Sequence, residues 1–531
     1  DSGILGAATY RAFEFRRARI LKANGFNAVR SSHNPLSRDM LDACDEVGLY
    51  VIDELADVWF TPKTAADAAP RFEEVWPDDL RSMIAKDRNH ASVIMYSIGN
   101  EIAESATPAG VNASKRIADM AQELDPTRPT TLAVNFLLNV LARRGTSVFA
   151  RESPTEAKAK PAKRNSAVTS TVVNVISNRI GAITGIISRL PAADAASRDV
   201  LATVDIAGYN YAWSRYRGDA RRHEARVVYG SESMPGDIAR IWPLVEALPG
   251  VIGDFMWTGW DYLGEAGLGD WAHGPEPVAL TKPYPQITAG TGAIDITGHP
   301  GVPTLLARAV WGLLDAPAIA VRPLDRSGQK VWRTAWRSSD AVPSWAWKGA
   351  DGKRAEIEVY SGDDEVELII NGQVIGRRRG GKRAGYVARF TAPYAPGEII
   401  ARGWRNGQLA GESVLRSAQP AALALRVESD GAVLDADGQD LAFVHVELRD
   451  ADGVVEMLDD DSVTIRTEGP GVLAGFGSGA SRNEESYTTD VHRTSRGRAL
   501  AIIRSTGTAG PVRVIASSKS HGDAAVTVRF A

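Results

Sequence analysis

Over roughly its first 315 residues the chain alternates short apolar runs with amphipathic stretches of helical length, and this alternation restricts the fold more than any other feature. Residues 26–33 (FNAVRSSH) follow a helix-like segment, 13–24, that stops at Gly25. Residues 50–55 (YVIDEL) follow a second, 41–47, that stops at Gly48. Further strand-like runs lie at 93–98, 130–134, 204–209, 227–230 and 251–257. Strands that alternate with helices build βα units on a parallel sheet. The closed form of that arrangement is the (β/α)₈ TIM barrel, which needs about eight strands and about 250 residues. The first strand is apparently missing, so the chain reads as a piece of a longer protein. A barrel opened by one strand exposes two edges, and such a fragment is expected to be unstable by itself.

Residues 143–195 interrupt the alternation as a helical insert. A Lys/Ala/Pro-rich loop (154–165) leads into an apolar run (166–190), which reads as a packing element or lid. Beyond residue 317 the texture becomes that of antiparallel sandwiches. Short alternating strands at 355–360, 365–370, 385–390 and 398–403 are separated by turns such as Asn371–Gly372. A second block has strands near 424–428, 443–449, 462–467, 498–503 and 512–517. The division is therefore a catalytic barrel over 1–317, a β-sandwich over 318–418 and an Ig-like β-sandwich over 419–531.

In a βα barrel the chemistry gathers where the loops leave the C-terminal ends of the strands. Taken strand by strand, that rim offers Arg30 and His33, then Asp53 and Glu54, then Asn100 and Glu101. It continues with Asn135, with Asn210 and Tyr211, with Glu232, and with Trp257, Trp260 and Asp261. Carboxylates, amides and aromatic rings dominate, and the rim has neither a phosphate loop nor a metal triad. Breaking a glycosidic bond needs two carboxyl groups across the sugar, one to protonate the leaving oxygen and one to attack the anomeric carbon or to activate water. Glu101 and Glu232, on different strands, suit that pair. Asn100 is placed to hold a ring hydroxyl, and Trp257 offers a face on which a sugar stacks. Asp53 or Glu54 must be buried and paired. Arg30 is the expected partner, with Asp53 structural and Glu54 supporting the site.

Rival readings carry less. Gly230–Ser233 has serines but no nucleophile elbow. His33, His90, His223 and His273 lack metal spacing, and a single cysteine, Cys44, forms no internal disulfide and reads as a small buried apolar residue. That cysteine usage leans toward a cytoplasmic setting. Arg377–Arg379 with Lys382 and Arg383 reads as a solvated turn. A net charge of −4 gives no basic field for nucleic acid or a membrane surface, and no apolar run is long enough to span a bilayer. A non-catalytic carbohydrate-binding barrel is the alternative from another class, and an interaction scaffold is a third.

These stretches resemble glycoside hydrolase family 2. The similar segments are 1–6 (DSGILG), 21–35 (LKANGFNAVRSSHNP), 50–54, 92–101 (SVIMYSIGNE), 208–211 (GYNY), 230–232 (GSE) and 255–264 (FMWTGWDYLG). The resemblance implies a retaining exo-β-glycosidase, with Glu101 as general acid/base and Glu232 as nucleophile. It implies that Tyr211 hydrogen-bonds the nucleophile. Arg30, His33, Asn34, Glu54, Asn100, Asn210, Trp257 and Trp260 then join Tyr211 in binding substrate. Glu101 is expected to carry a raised pKa while Arg30 and Tyr211 keep Glu232 ionised. Segments 292–298 (GAIDITG), 344–347 (SWAW), 366–372 (VELIING) and 394–397 (YAPG) resemble bacterial β-galactosidases of the family. No Asn-x-Lys of the β-glucuronidase kind is found there, although a β-glucuronidase or another β-glycosidase remains the alternative. Large metal-dependent members place a Glu-x-His soon after the third strand. Here 55–60 reads LADVWF, so no essential metal and no cofactor are expected. The partner implied is a small carbohydrate, bound by a monomer or a homo-oligomer.

Overall fold

A computed structural model describes residues 1–64, 66–145, 184–276, 281–428 and 433–531. The loop 154–165 and most of the apolar run 166–190 lie outside the described residues. The chain divides into two compact units, Phe26–Trp257 and a second made of Asp1–Gly25 with Thr258–Ala531.

The first unit is the barrel. Its strands are β1 (Ala28–Arg30), β2 (Tyr50–Glu54), β3 (Val93–Asn100), β4 (Thr130–Asn135), β5 (Ile206–Asn210), β6 (Val227–Ser233) and β7 (Val251–Met256). They form one seven-stranded sheet in sequence order, every neighbouring pair parallel. The sheet curls until Cα atoms of β1 and β7 lie within 8 Å of each other. Each of the seven runs read from the sequence is a strand. β2, β3 and β4 are buried almost without a break, as parallel strands covered on both faces must be. Ile52, Met95 and Tyr229 meet in the interior.

Local chemistry sets the helices between them. In Arg38–Val47 the Ser37 hydroxyl accepts the Met40 N–H at 3.2 Å, and Gly48 ends the helix in a left-handed conformation, φ 80°. Cys44 faces inward from this helix and is fully buried, as an apolar packing residue. Helix Pro108–Leu124 starts on the Thr107 hydroxyl in the same way.

The register shifts between Val51 and Ile52 on β2 and between Val228 and Gly230 on β6, and three more irregularities lie toward the C-terminal ends of the strands. These three fall between Ser97 and Asn100 on β3, between Tyr209 and Asn210 on β5, and between Gly230 and Ser233 on β6. An irregular step re-aims the side chains that follow it, and the residues re-aimed here are Asn100, Asn210 and Glu232.

The second unit holds two sandwiches. In one, strands Ala318–Val321, Arg354–Tyr360 and Val387–Pro393 face a sheet of Glu365–Ile370, Gln373–Arg379, Glu398–Arg405 and Gln408–Arg416 across a shared apolar core. In the other, Ala422–Val427, Leu441–Arg449, Gly471–Gly477 and Arg498–Ser505 face a five-stranded sheet that includes Ser462–Glu468, Gly510–Ser518 and Gly522–Phe530. Arg377–Arg379 are not in a turn. They end strand Gln373–Arg379 on an exposed face, where Arg377 lies 4.2 Å over the Trp404 ring.

Helix Arg11–Ala23 and residues 258–317, read from the sequence with the barrel, cluster with the sandwiches. Arg16 bonds Glu428 through Nε and Nη2, both at 2.6 Å, and also donates to the Thr297 carbonyl. Ile4, Phe13 and Ile296 share an apolar cluster with Leu441, Phe443, Leu500 and Ile502. Among the described residues no helix is long and apolar enough to cross a membrane.

Candidate active site

Two carboxylates rise from the barrel rim. Glu101 follows β3 directly and takes a positive φ of 47°. Its N–H donates to the Ala133 carbonyl at 2.9 Å. Its Oε1 accepts from Asn135 Nδ2 at 2.8 Å and from Asn210 Nδ2 at 3.0 Å. Asn135 is fixed from its other end, because its Oδ1 caps helix Phe136–Arg143. One residue thus starts a helix and orients the Glu101 carboxylate.

Glu232 lies on β6 and is 4% exposed. Arg30 Nη1 donates to its Oε1 at 3.1 Å and to the Ser231 carbonyl at 3.2 Å. The Tyr211 hydroxyl also hydrogen-bonds the carboxylate. Tyr211 is itself tied down, with φ 54° and its N–H on the Glu232 carbonyl at 2.7 Å.

Behind this pair stands a buried charge network. Arg30 Nη2 donates to Glu54 Oε2 at 2.7 Å and to Asn100 Oδ1 at 3.1 Å. Glu54 is wholly buried and also takes His33 Nδ1 at 2.7 Å and the Ser97 hydroxyl at 2.7 Å. Its oxygens are spent on protein donors, so it supports the site and does not offer an open subsite. Asn100 Oδ1 receives Asn210 Nδ2 at 3.0 Å as well, and Asn210 accepts the Ser231 hydroxyl at 2.6 Å. Trp257 stacks flat on His33, with ring centroids 5.2 Å apart.

The electrostatics follow from burial and charge. Burial works against ionising Glu54, but Arg30 and His33 overcome it and hold the carboxyl down at about 2. Burial disfavours the charged form of His33, and its bond to Glu54 outweighs that and raises it. Glu232 is pushed up to about 7 by burial and by the charge of Glu101, against the pull of Arg30, His33 and Tyr211. The sequence reading has Arg30 and Tyr211 keep Glu232 ionised, whereas burial and the charge of Glu101 outweigh their pull and raise it. Arg30 divides its charge between two carboxylates, so neither receives the whole of it.

Four further residues of the expected rim are placed as follows. Asp53 is buried, but its partner is Lys86 at 3.0 Å, not Arg30, and its other oxygen accepts the Leu36 N–H. Trp260 lies in the second unit, where it packs edge-on against Phe13 at 6.2 Å with a buried, unpartnered indole nitrogen. Asp261 is in that unit too, accepting the Gly290 and Gly292 N–H groups. Asn34 is exposed on the loop after β1. The sequence reading left out Ser97, Ser231, Asp57 and Lys63. Ser97 shares the strand register of Glu54, which is the signal that marks it. Among the described residues, Asp194, Asp219 and His223 bring ligand atoms within 4.8 Å of one another. Arg215 already pairs with both aspartates.

Comparison with known proteins bears on the family. The Glycosyl hydrolases family 2, TIM barrel domain matches residues 9–167, and the Glycoside hydrolase family 2 C-terminal domain 5 matches 425–527. A domain of unknown function matches 352–411. Beta-galactosidase BoGH2A of Bacteroides ovatus is 27% identical over 572 residues, covering 99% of this chain and 60% of that protein. The beta-glucuronidase of Rattus norvegicus is 35% identical over 136 residues, covering 25% of this chain and 20% of that protein. A crystal structure of a glycosyl hydrolase family 2 member from Bacteroides cellulosilyticus superposes with a TM-score of 0.82 at 32% identity, over 100% of this chain and 61% of that one. The chain thus spans about 60% of the length of such relatives. It belongs to glycoside hydrolase family 2.

Proposed function

We propose that the protein is a retaining exo-β-glycosidase that removes terminal β-D-galactosyl residues. The observation that carries this reading is the pairing of Glu101 and Glu232 on one rim, the first held by two amides and the second by Arg30 and Tyr211. In the first step a Glu232 oxygen attacks the anomeric carbon while Glu101 gives its proton to the departing glycosidic oxygen. In the second, water attacks the same carbon and passes a proton to Glu101. The ester bond to Glu232 breaks and the free sugar leaves with its configuration retained. His33 and Trp257 form the wall against which the sugar ring packs, and Arg30, Asn100, Asn210 and Tyr211 hold the carboxylates and the ring hydroxyls. Neither a metal nor a cofactor takes part. The catalytic module spans 1–317, with sandwiches at 318–418 and 419–531.

The similarity to a β-galactosidase over nearly the whole chain supports the galactoside. The similarity to a β-glucuronidase over a shorter stretch favours β-glucuronides as the second reading. The intact protein, offered nitrophenyl β-galactoside, β-glucuronide, β-mannoside and β-glucoside with and without chelator, distinguishes them. Cleavage of the β-galactoside alone, unchanged by chelator, is expected. Cleavage of another sugar corrects the substrate, loss with chelator corrects the metal, and silence throughout favours a binding protein.

A further inference from the structure

The segment after β2 carries a charged pair that the chemistry above does not use. Lys63 Nζ donates to Asp57 Oδ1 at 2.6 Å and to the backbone carbonyl of Asn100 at 2.9 Å. The same Asp57 oxygen accepts Asn100 Nδ2 at 3.0 Å. Two of these three bonds end on Asn100, the residue just before Glu101, and the third ties their partners together.

They act on two sides of it. On the backbone side, the peptide joining Asn100 to Glu101 has both polar groups engaged. Its carbonyl takes the Lys63 ammonium and its N–H reaches the Ala133 carbonyl at 2.9 Å. That peptide leads into Glu101 at φ 47°, a conformation that a residue with a side chain keeps only where its surroundings impose it. On the side-chain side, Asp57 fixes which way the Asn100 amide points. With Nδ2 on Asp57, Oδ1 is turned to Arg30 and to Asn210. Asn210 in turn holds Glu101 Oε1.

The segment is itself anchored. The Glu104 carboxylate accepts the Phe60 and Thr61 N–H groups at 2.6 and 3.1 Å, and Asp67 accepts the Lys63 and Thr64 N–H groups at 2.6 and 2.9 Å. The Lys63 side chain is only 12% exposed, whereas that of Asp57 is 40% exposed. An ammonium so covered, and aimed at one carbonyl, is built in and is not a solvated surface charge.

We propose that Lys63, with Asp57, is a positioning residue for Glu101, holding the acid/base in the conformation from which it delivers its proton. The inference rests on the reading of Glu101 as acid/base. Its consequence is selective, because proton delivery matters for a leaving group that would otherwise depart as a strong base and hardly at all for a weakly basic one that leaves unaided.

The test compares kcat/KM for methyl β-galactoside and dinitrophenyl β-galactoside in the intact protein and in Lys63→Met, Lys63→Arg and Asp57→Asn. Lys63→Met is expected to lose on the order of 100-fold on the methyl glycoside while staying within about threefold on the dinitrophenyl one. Lys63→Arg, which keeps a cation and its donors, is expected to regain most of the loss. Asp57→Asn shifts the ratio the same way by less, and carries the test if Lys63→Met does not fold. Equal losses on both substrates, or no loss on either, overturn the inference while leaving the glycosidase reading intact. A parent protein that cleaves neither substrate nor any other sugar of the panel overturns that reading first, and this inference with it.

Discussion

Arg30 Nη1 and Glu232 Oε1 lie 3.1 Å apart, with 3% and 5% of their side chains exposed. The same guanidinium bonds Glu54 at 2.7 Å. One cation therefore serves two buried carboxylates, and the division decides their charges. Glu54, with His33 and Ser97 in addition, stays ionised at about 2, while Glu232 rises to about 7. Isolated buried carboxylates would both go up, so the separation of the pair is the work of their partners.

Replacing Glu232 tests its proposed role as nucleophile. Glu232→Gln is expected to reduce turnover by roughly 10⁴-fold or more, with the melting temperature unchanged or higher because the repulsion with Glu101 is removed. Nitrophenyl glycoside hydrolysis and thermal melting on the same preparation check both halves. Near-normal activity excludes Glu232 as nucleophile.

The pH dependence of kcat/KM follows from the raised carboxyl. Glu232 must be ionised in the free protein to attack, so kcat/KM should rise with pH through about 7. For stability the sign is opposite. A carboxyl raised in the folded state stabilises most below its ordinary value of 4.5 and loses that contribution as pH rises through about 7. An acid limb near the ordinary carboxylate value would contradict the burial and coupling described for this residue.

How much of this could be read beforehand depends on what each residue does. The seven strand runs were legible because each is a short apolar stretch with helical residues on either side. The rim positions of Glu101 and Glu232 were legible because each stands at a strand end. The partner of Asp53 was not, because β2 places Asp53 and Glu54 on opposite faces, and Arg30 can reach only one of them. Trp260 reads like Trp257, three residues earlier, yet the division of the chain falls between them at Thr258. The Lys63–Asp57 pair escaped because its meaning depends on a loop folding back onto Asn100, which has no periodic signature. The Gln373–Arg379 strand escaped because three consecutive arginines hide its alternation.

A second raised acid, half-buried, gives a stability test away from the reacting atoms. Burial raises Asp254 on β7 to about 8, and the Tyr216 and Ser233 hydroxyls donate to it at 2.9 Å each. Its contribution is full below 3.8 and is lost as pH rises through about 8. Asp254→Asn, neutral at every pH, should gain roughly 5 °C over the parent near pH 9 and little near pH 5. Melting curves across that range check it, and an equal effect at both ends contradicts a protonated Asp254.

Glu54→Gln tests the network behind the site. It leaves Arg30 and His33 without their anionic partner, and breaking a buried pair from one side costs about 3–5 kcal/mol. Urea unfolding should show that loss. With Glu54 gone, Arg30 serves Glu232 alone, so the acid limb of any residual activity should move below about 7. An unchanged limb would mean that the two carboxylates do not share the guanidinium.

The most direct measurement is covalent trapping with an activated 2-deoxy-2-fluoro β-galactoside, followed by mass spectrometry of the digested protein. The substituent slows both steps and an activated leaving group restores the first, so a double displacement leaves the sugar on its nucleophile. The expected result is time-dependent inactivation with one fluorosugar esterified to Glu232. A label on another residue, or an active protein that never acquires one, would contradict the double displacement through Glu232.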